Sequence, residues 1–241
     1  MRKYGLIGKS LSHSFSAKFF NDKFQTESID ACYELIELAD ENQLKSFLKE
    51  NDFSGFNVTI PYKEKVLPFL DELSTEAKEI GAVNCIVKKE GKLIGHNTDA
   101  FGFKQSIKPF LTNLHKRALI LGTGGSSKAV EYVFKSIGID CVFISRSPKQ
   151  GQFAYSEINE HMVKACKVIV NCTPVGMYPT MDEVVDFPFQ FLTKEHLLID
   201  LIYNPSKTNF LKKAEENSAQ ILNGESMLKE QALKSWELWN S

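Results

Sequence analysis

The chain has 241 residues, 43% apolar and 24% charged, a globular composition with room for two domains. Its 29 Lys and Arg offset 30 Asp and Glu to a net charge of -1, which excludes a global field for capturing nucleic acid or an anionic membrane surface. No run approaches the ~18 apolar residues of a membrane span, and five scattered cysteines without a CxxC pair fit reduced thiols in a cytoplasmic protein.

In chain order, residues 4–8 read as a strand, too short a run for a signal peptide, and 15–24 as a helix. Residues 32–38 alternate like a strand, 41–49 are helical, and 55–60 form a strand stopped by Pro61, which removes a ladder donor. A short helix follows at 75–80, then a hairpin of 84–88 and 93–96 around Gly91. A second series starts after Asn113, with strands at 117–121, 141–145, 168–171 and 197–201 and a helix at 126–137. The last segment, 226–239, places Met227, Leu228, Ala232, Leu233 and Trp236 at helical spacing. This alternation predicts an α/β protein with mainly parallel sheets. No flexible linker is visible, so the domain boundary is expected in a helix near residues 100–111. The five histidines lack metal-ligand spacing, and no metal is expected.

One turn carries a specific chemistry. The strand ending at Leu121 runs directly into Gly122-Thr123-Gly124-Gly125-Ser126-Ser127 and then a helical pattern. One glycine permits the tight turn, another admits a pyrophosphate, and the helix N-terminus offers N–H groups to its charge. Ser127 stands at the third glycine position, still small enough for close helix–strand packing. A plain βα loop is the alternative. NAD sites place a carboxylate at the end of the next strand to hold the ribose 2′-hydroxyl. Here that strand ends Ser145-Arg146-Ser147, with Lys149 close behind, a set suited to a 2′-phosphate and hence to NADP. A solvated surface arginine is the alternative.

Three polar clusters fall where first-half strands end or helices begin. Ser12-His13-Ser14-Phe15-Ser16 could hold a carboxylate at a helix start, or merely cap it. Lys63, in Asn57-Val58-Thr59-Ile60-Pro61-Tyr62-Lys63, and Asp99, in His96-Asn97-Thr98-Asp99, could supply the proton transfer that accompanies hydride transfer. Taken singly, Lys63 could be solvated and Asp99 an ordinary N-cap.

Together these clusters resemble the shikimate/quinate dehydrogenase family. The likeness continues through Gly81-Ala82-Val83-Asn84, Asn97-Thr98-Asp99-Ala100-Phe101-Gly102, Asn171-Cys172-Thr173-Pro174-Val175-Gly176-Met177 and Asp200-Leu201-Ile202-Tyr203-Asn204-Pro205. It implies NADPH-dependent reversible reduction of 3-dehydroshikimate to shikimate, an oxidoreductase step of aromatic amino-acid synthesis; a quinate/shikimate dehydrogenase using NAD and a non-catalytic dinucleotide-sensing module on the same fold are the alternatives. Lys63 and Asp99 would form the catalytic pair. Ser14 and Ser16 would hold the substrate carboxylate, Thr59, Asn84 and Gln231 its hydroxyls, and Tyr203 would lie nearby. Thr173 and Gly224 would join Gly122, Thr123, Gly124, Gly125, Ser126, Ser145, Arg146, Ser147 and Lys149 around NADP(H). The family architecture implies an N-terminal α/β substrate domain, residues 1–100 completed by helix 225–241. A Rossmann-like, doubly wound dinucleotide domain would span 101–224, in a monomer or homodimer. This sequence departs from the family's usual glycine turn at Thr123 and Ser126. It also carries Ala17 where proline is common, and Gly224-Glu225-Ser226-Met227-Leu228 where more glycine is usual.

Overall fold

The computed structural model describes residues 1–11 and 14–241. They divide into two compact units, Met1–Thr98 with Ala232–Ser241, and Asp99–Gln231.

The first unit is built on β1 (Arg2–Gly8), α1 (Phe15–Thr26), β2 (Ala31–Glu37), α2 (Glu41–Lys49), β3 (Gly55–Val58) and α3 (Tyr62–Lys65). It continues with β4 (Glu72–Leu73), α4 (Thr75–Ile80), β5 (Cys85–Lys89) and β6 (Lys92–His96). The sheet order is β2-β1-β3-β5-β6-β4. β1 lies parallel to β2 and β3, whereas β3–β5 and β5–β6 are antiparallel. Strand side chains alternate between faces, so neighbouring residues feed two different cores. Ile7, Phe56, Val58 and Ile86 pack with Leu44 and Leu48 of α2. Tyr4, Leu6, Cys85 and Val87 pack with Phe20 and Phe24 of α1 and with Ala232 and Trp239 from the C-terminus. Trp239 stacks on Tyr4 with centroids 4.7 Å apart and donates Nε1 to the Ile86 carbonyl at 3.0 Å. Gly55 makes room for that indole, because a Cβ there would lie 2.5 Å from it.

The second unit takes up α5 (Thr98–Ile107) and then β7 (Arg117–Leu121), α6 (Gly125–Ser136), β8 (Asp140–Ser145), β9 (Gln152–Ala154) and α7 (Glu160–Ala165). β10 (Val168–Asn171), β11 (Leu197–Asp200), α8 (Asn209–Glu216), β12 (Gln220–Leu222) and α9 (Glu225–Trp239) complete the chain. All strand pairs are parallel, in the order β12-β11-β10-β7-β8-β9. The continuous apolar runs Ala118-Leu119-Ile120-Leu121, Val168-Ile169-Val170 and Leu197-Leu198-Ile199 are almost wholly buried, as a parallel sheet covered on both faces requires. This doubly wound arrangement is the expected Rossmann-like one. At Gly102 the backbone of α5 meets α9 closely, since a Cβ there would sit 2.5 Å from the Met227 carbonyl.

The observed elements refine the sequence reading. β3 stops at Val58, two residues early, because the Thr59 carbonyl turns to accept Tyr62 N at 2.9 Å and starts α3. α5 begins at Thr98 and ends at Ile107, earlier at both ends than residues 100–111. α9 crosses the division between the units at Gln231 and Ala232. Among the described residues, no helix is long and apolar enough to cross a membrane. None of them form a group of three or more His, Cys, Asp or Glu that could hold a metal ion.

Candidate active site

The topology of the first sheet gathers most of its candidate residues at one edge. β1 and β3 are parallel with Ile7 opposite Val58, so Ser14 and Ser16, beyond β1, and Thr59 and Lys63, beyond β3, follow the same carboxyl ends. β5 runs the other way with Cys85 opposite Asn57, which brings Asn84 to that edge too. β6 returns antiparallel, with His96 opposite Cys85, so Asn97 and Thr98 also leave the sheet there. Thr59 N donates to the Ile7 carbonyl at 2.8 Å, and Val83 N to the Lys63 carbonyl at 2.8 Å, tying these loops together. Ser14 is the N-cap residue of α1, yet its side chain makes no capping bond. Ser16 is buried within the helix. Ser12 and His13 lie outside the described residues. Asp99 is not an N-cap: it is the second residue of α5 and only 6% exposed.

In the second sheet every strand is parallel, so all carboxyl ends share one edge, and β7 lies between β10 and β8, the point from which the chain winds both ways. Ligands of open α/β sheets bind at such a switch point. Gly122 leaves β7 there with φ +102, and a Cβ would meet Thr173 Cγ2 at 2.9 Å, so the turn demands glycine twice over. Gly124 is the N-cap of α6, provides no side-chain cap, and has no protein atom within 4 Å of a built Cβ. A pyrophosphate needs this combination: an open approach to backbone at the start of a twelve-residue helix. Ser127 is 1% exposed and donates Oγ to the Gly124 carbonyl at 2.6 Å, so the departure from glycine closes the turn from behind. Thr123 and Gly124 are exposed, and Gly125 and Ser126 half-buried.

At the end of β8, Ser147 N donates to Ser145 Oγ at 3.2 Å, and Arg146 stands exposed between them. Burial pushes the Tyr155 phenol up while the Arg146 guanidinium draws it down, which places that charge near the ring. Lys149 is exposed in the turn leading to β9, its carbonyl accepting from Gln152 N at 2.9 Å. Gly224, after β12, is buried with no space for a side chain, since a Cβ would lie 2.1 Å from the Leu201 carbonyl. Its observed role is close backbone packing. Tyr203 is half-buried just beyond β11, and Gln231 is buried on α9, donating Nε2 to the Leu228 carbonyl at 3.0 Å.

Behind Thr173 lies a relay that the sequence reading missed. Asn171 Oδ1 accepts both Thr173 N at 3.0 Å and Thr173 Oγ1 at 2.6 Å. Asn171 Nδ2 donates to Asp200 Oδ1 at 3.1 Å, which also accepts Ile202 N at 3.1 Å. Thr208 Oγ1 donates to Asp200 Oδ2 at 2.6 Å. Burial pushes the Asp200 carboxyl up to about 6, against the three hydrogen bonds that favour its charged form. The available signal was a polar residue closing each apolar strand, Val-Ile-Val-Asn and Leu-Leu-Ile-Asp.

A family model for the shikimate dehydrogenase substrate binding domain matches residues 6–86. An NADP(+) shikimate dehydrogenase of Carboxydothermus hydrogenoformans is 40% identical over 252 residues, covering 98% of this chain and 90% of the relative. The chain belongs to the shikimate dehydrogenase family. Among solved structures, shikimate dehydrogenase from Thermus thermophilus, in complex with NADP(H) and shikimate, matches with a TM-score of 0.88 at 30% identity. That match covers 99% of this chain and 93% of the other. Quinate dehydrogenase from Corynebacterium glutamicum, in complex with NAD, has a TM-score of 0.86 at 28% identity, over 99% and 93% of the two chains. The family assignment and the two-part α/β fold expected from sequence both hold. Lys63 falls in the first unit and Asp99 opens the second.

Proposed function

We infer that this chain is an NADP-dependent shikimate dehydrogenase that interconverts 3-dehydroshikimate and shikimate, working in the cytoplasm as a monomer or homodimer. The observation that carries this is the 40% identity to an NADP(+) shikimate dehydrogenase over 98% of the chain, on a glycine turn open to a dinucleotide. The substrate domain of this reading is the first sheet with its C-terminal helix, and the cofactor domain is the parallel sheet.

Ser14 and Ser16 take the substrate carboxylate, and Thr59, Asn84 and Gln231 its ring hydroxyls, with Tyr203 beside them. Bound NADPH supplies the hydride for the carbonyl carbon. Lys63 then stabilises the alkoxide developing on the carbonyl oxygen, and the Lys63–Asp99 pair delivers the proton that completes the hydroxyl. In the reverse direction the same pair takes that proton back from the hydroxyl. Around the cofactor, Gly122, Thr123, Gly124, Gly125 and Ser126 receive the pyrophosphate and Thr173 backs the turn. Ser145, Arg146, Ser147 and Lys149 receive the 2′-phosphate, and Gly224 keeps the β12 turn close against β11.

A matrix of initial rates tests this reading: shikimate and quinate, each with NADP⁺ and NAD⁺. Shikimate with NADP⁺ is expected to exceed the other three combinations at least tenfold in kcat/KM. A larger value for quinate with NAD⁺ makes the chain a quinate dehydrogenase, and no turnover in any cell of the matrix rejects the enzymatic reading.

A further inference from the structure

Behind the carboxyl edge of the first sheet runs a connected series of buried, uncharged polar side chains. Tyr33 Oη on β2 donates to Asn57 Oδ1 on β3 at 2.8 Å. That bond sets the Asn57 amide so that Nδ2 faces the Asn84 carbonyl at 3.1 Å and Ser235 Oγ of α9 at 2.9 Å. Ser235 Oγ lies 3.1 Å from Thr98 Oγ1. Thr98 then grips Asn84 at both ends of its amide, N donating to Oδ1 at 2.6 Å and Oγ1 accepting from Nδ2 at 2.9 Å. At the far end, the Ser16 hydroxyl acts on the Tyr33 phenol. Tyr33, Asn57, Thr98 and Ser235 are each no more than 4% exposed.

Apolar side chains would fill this space without the cost of burying hydroxyls and amides. A mutually bonded network does something they cannot: it selects one orientation for each amide and hydroxyl. For Asn84 that choice decides whether N–H or C=O faces the edge of the sheet. We propose that Tyr33, Asn57, Thr98 and Ser235 are positioning residues that hold Asn84 for a ring bearing hydroxyls. Ser235 is the link that ties the C-terminal helix to both Asn57 and Thr98, and Thr98 is the residue before Asp99 in the chain. This inference rests on the shikimate reading and adds the residues that set its substrate affinity.

The test is KM for shikimate, KM for NADP⁺ and Tm in the wild type, Ser235→Ala, Thr98→Val, Thr98→Ser, Tyr33→Phe and Trp239→Phe. Thr98→Val keeps the side-chain shape and Tyr33→Phe deletes one oxygen, so folded protein is expected from both. Ser235→Ala, Thr98→Val and Tyr33→Phe should each raise the shikimate KM about tenfold, the effect of one lost hydrogen bond. The NADP⁺ KM should stay within twofold, and Thr98→Ser, which restores the hydroxyl, should return the shikimate KM to the wild-type range. Trp239→Phe, on the same helix but outside the network, should lower Tm and leave both KM values unchanged. A shikimate KM within twofold of wild type in both Thr98→Val and Tyr33→Phe overturns the proposal, as does an equal rise in Trp239→Phe. Failure of the functional reading itself shows separately, as a wild type that does not reduce NADP⁺ with shikimate, and it removes this proposal as well.

Discussion

In the first unit the groups behind the carboxyl edge are neutral, with Tyr33, Asn57, Thr98 and Ser235 bonded among hydroxyls and amides. In the second unit the corresponding support for Thr173 ends on a buried carboxylate, Asp200. The neutral arrangement costs only polar desolvation and does not titrate near neutrality, because burial keeps the Tyr33 phenol well above its ordinary value. The charged one has stronger hydrogen bonds but carries a desolvation penalty whenever Asp200 ionises. One fold thus holds two sets of candidate ligand residues by different electrostatics, and the two should respond differently to pH and to substitution.

The largest expected effect touches neither support. Lys63→Met should cut kcat by about 10²–10⁴-fold, the usual worth of a positioned proton donor. NADPH affinity, followed by fluorescence titration, should stay within twofold. A kcat within tenfold of wild type would remove Lys63 from the chemistry and leave both networks without a reacting centre to serve.

Asp200→Asn probes the charged anchor. The folded carboxyl titrates at about 6, above the ordinary 3.8, so its ionisation opposes folding. The stability associated with its neutral form is fully present below 3.8 and is lost as pH rises through about 6. The amide never ionises, and Thr208 can turn its hydroxyl to accept from it. Urea unfolding should therefore show the variant gaining on wild type by about 2 kcal/mol between pH 4 and pH 8. For Tyr33→Phe the difference from wild type should be flat over that range. Parallel pH profiles for Asp200→Asn and wild type would erase the contrast between the units.

Gly124→Ala has a smaller and sharper signature. Its φ of -85 and open surroundings admit a methyl group in the protein alone, so Tm should move by less than about 1 °C. The methyl occupies the approach to the turn, and the NADP⁺ KM should rise about tenfold. An unchanged KM would show that the pyrophosphate lies elsewhere. Arg146→Ala, at an exposed site, should lower the preference for NADP⁺ over NAD⁺ by about fivefold, as the ratio of the two kcat/KM values.

The main frame of the fold was legible because its strands are apolar and their ends are polar. Residues 117–121 and 168–171 read directly as strands, and the chemistry-bearing motifs follow such strands. β4, β9 and β12 span two or three residues, too few to show alternation, and α7 and α8 are short and charged, so pattern reading passes over them. The start of α5 was misplaced because Thr98 N is committed to Asn84, a contact with no local sequence signature. In the candidate site, Gly122 and Arg146 were legible as residues that follow strand ends, whereas Thr173 and Tyr203 came from the family resemblance alone. The supports were not legible. Ser235 meets Asn57 and Thr98 across 178 and 137 residues, and a serine on a helix looks solvated until the partners that bury it are known.

The central claim is that the residues at the carboxyl edge of the first sheet serve the substrate and those at the carboxyl edge of the second sheet serve the cofactor. The most direct test is the pair of KM values, for shikimate and for NADP⁺, measured together in Tyr33→Phe and Thr173→Val. Each variant removes one hydroxyl from one unit. The account predicts a crossed pattern, with the shikimate KM rising alone in Tyr33→Phe and the NADP⁺ KM rising alone in Thr173→Val. Both constants rising together in either variant, or the reverse assignment, would contradict it.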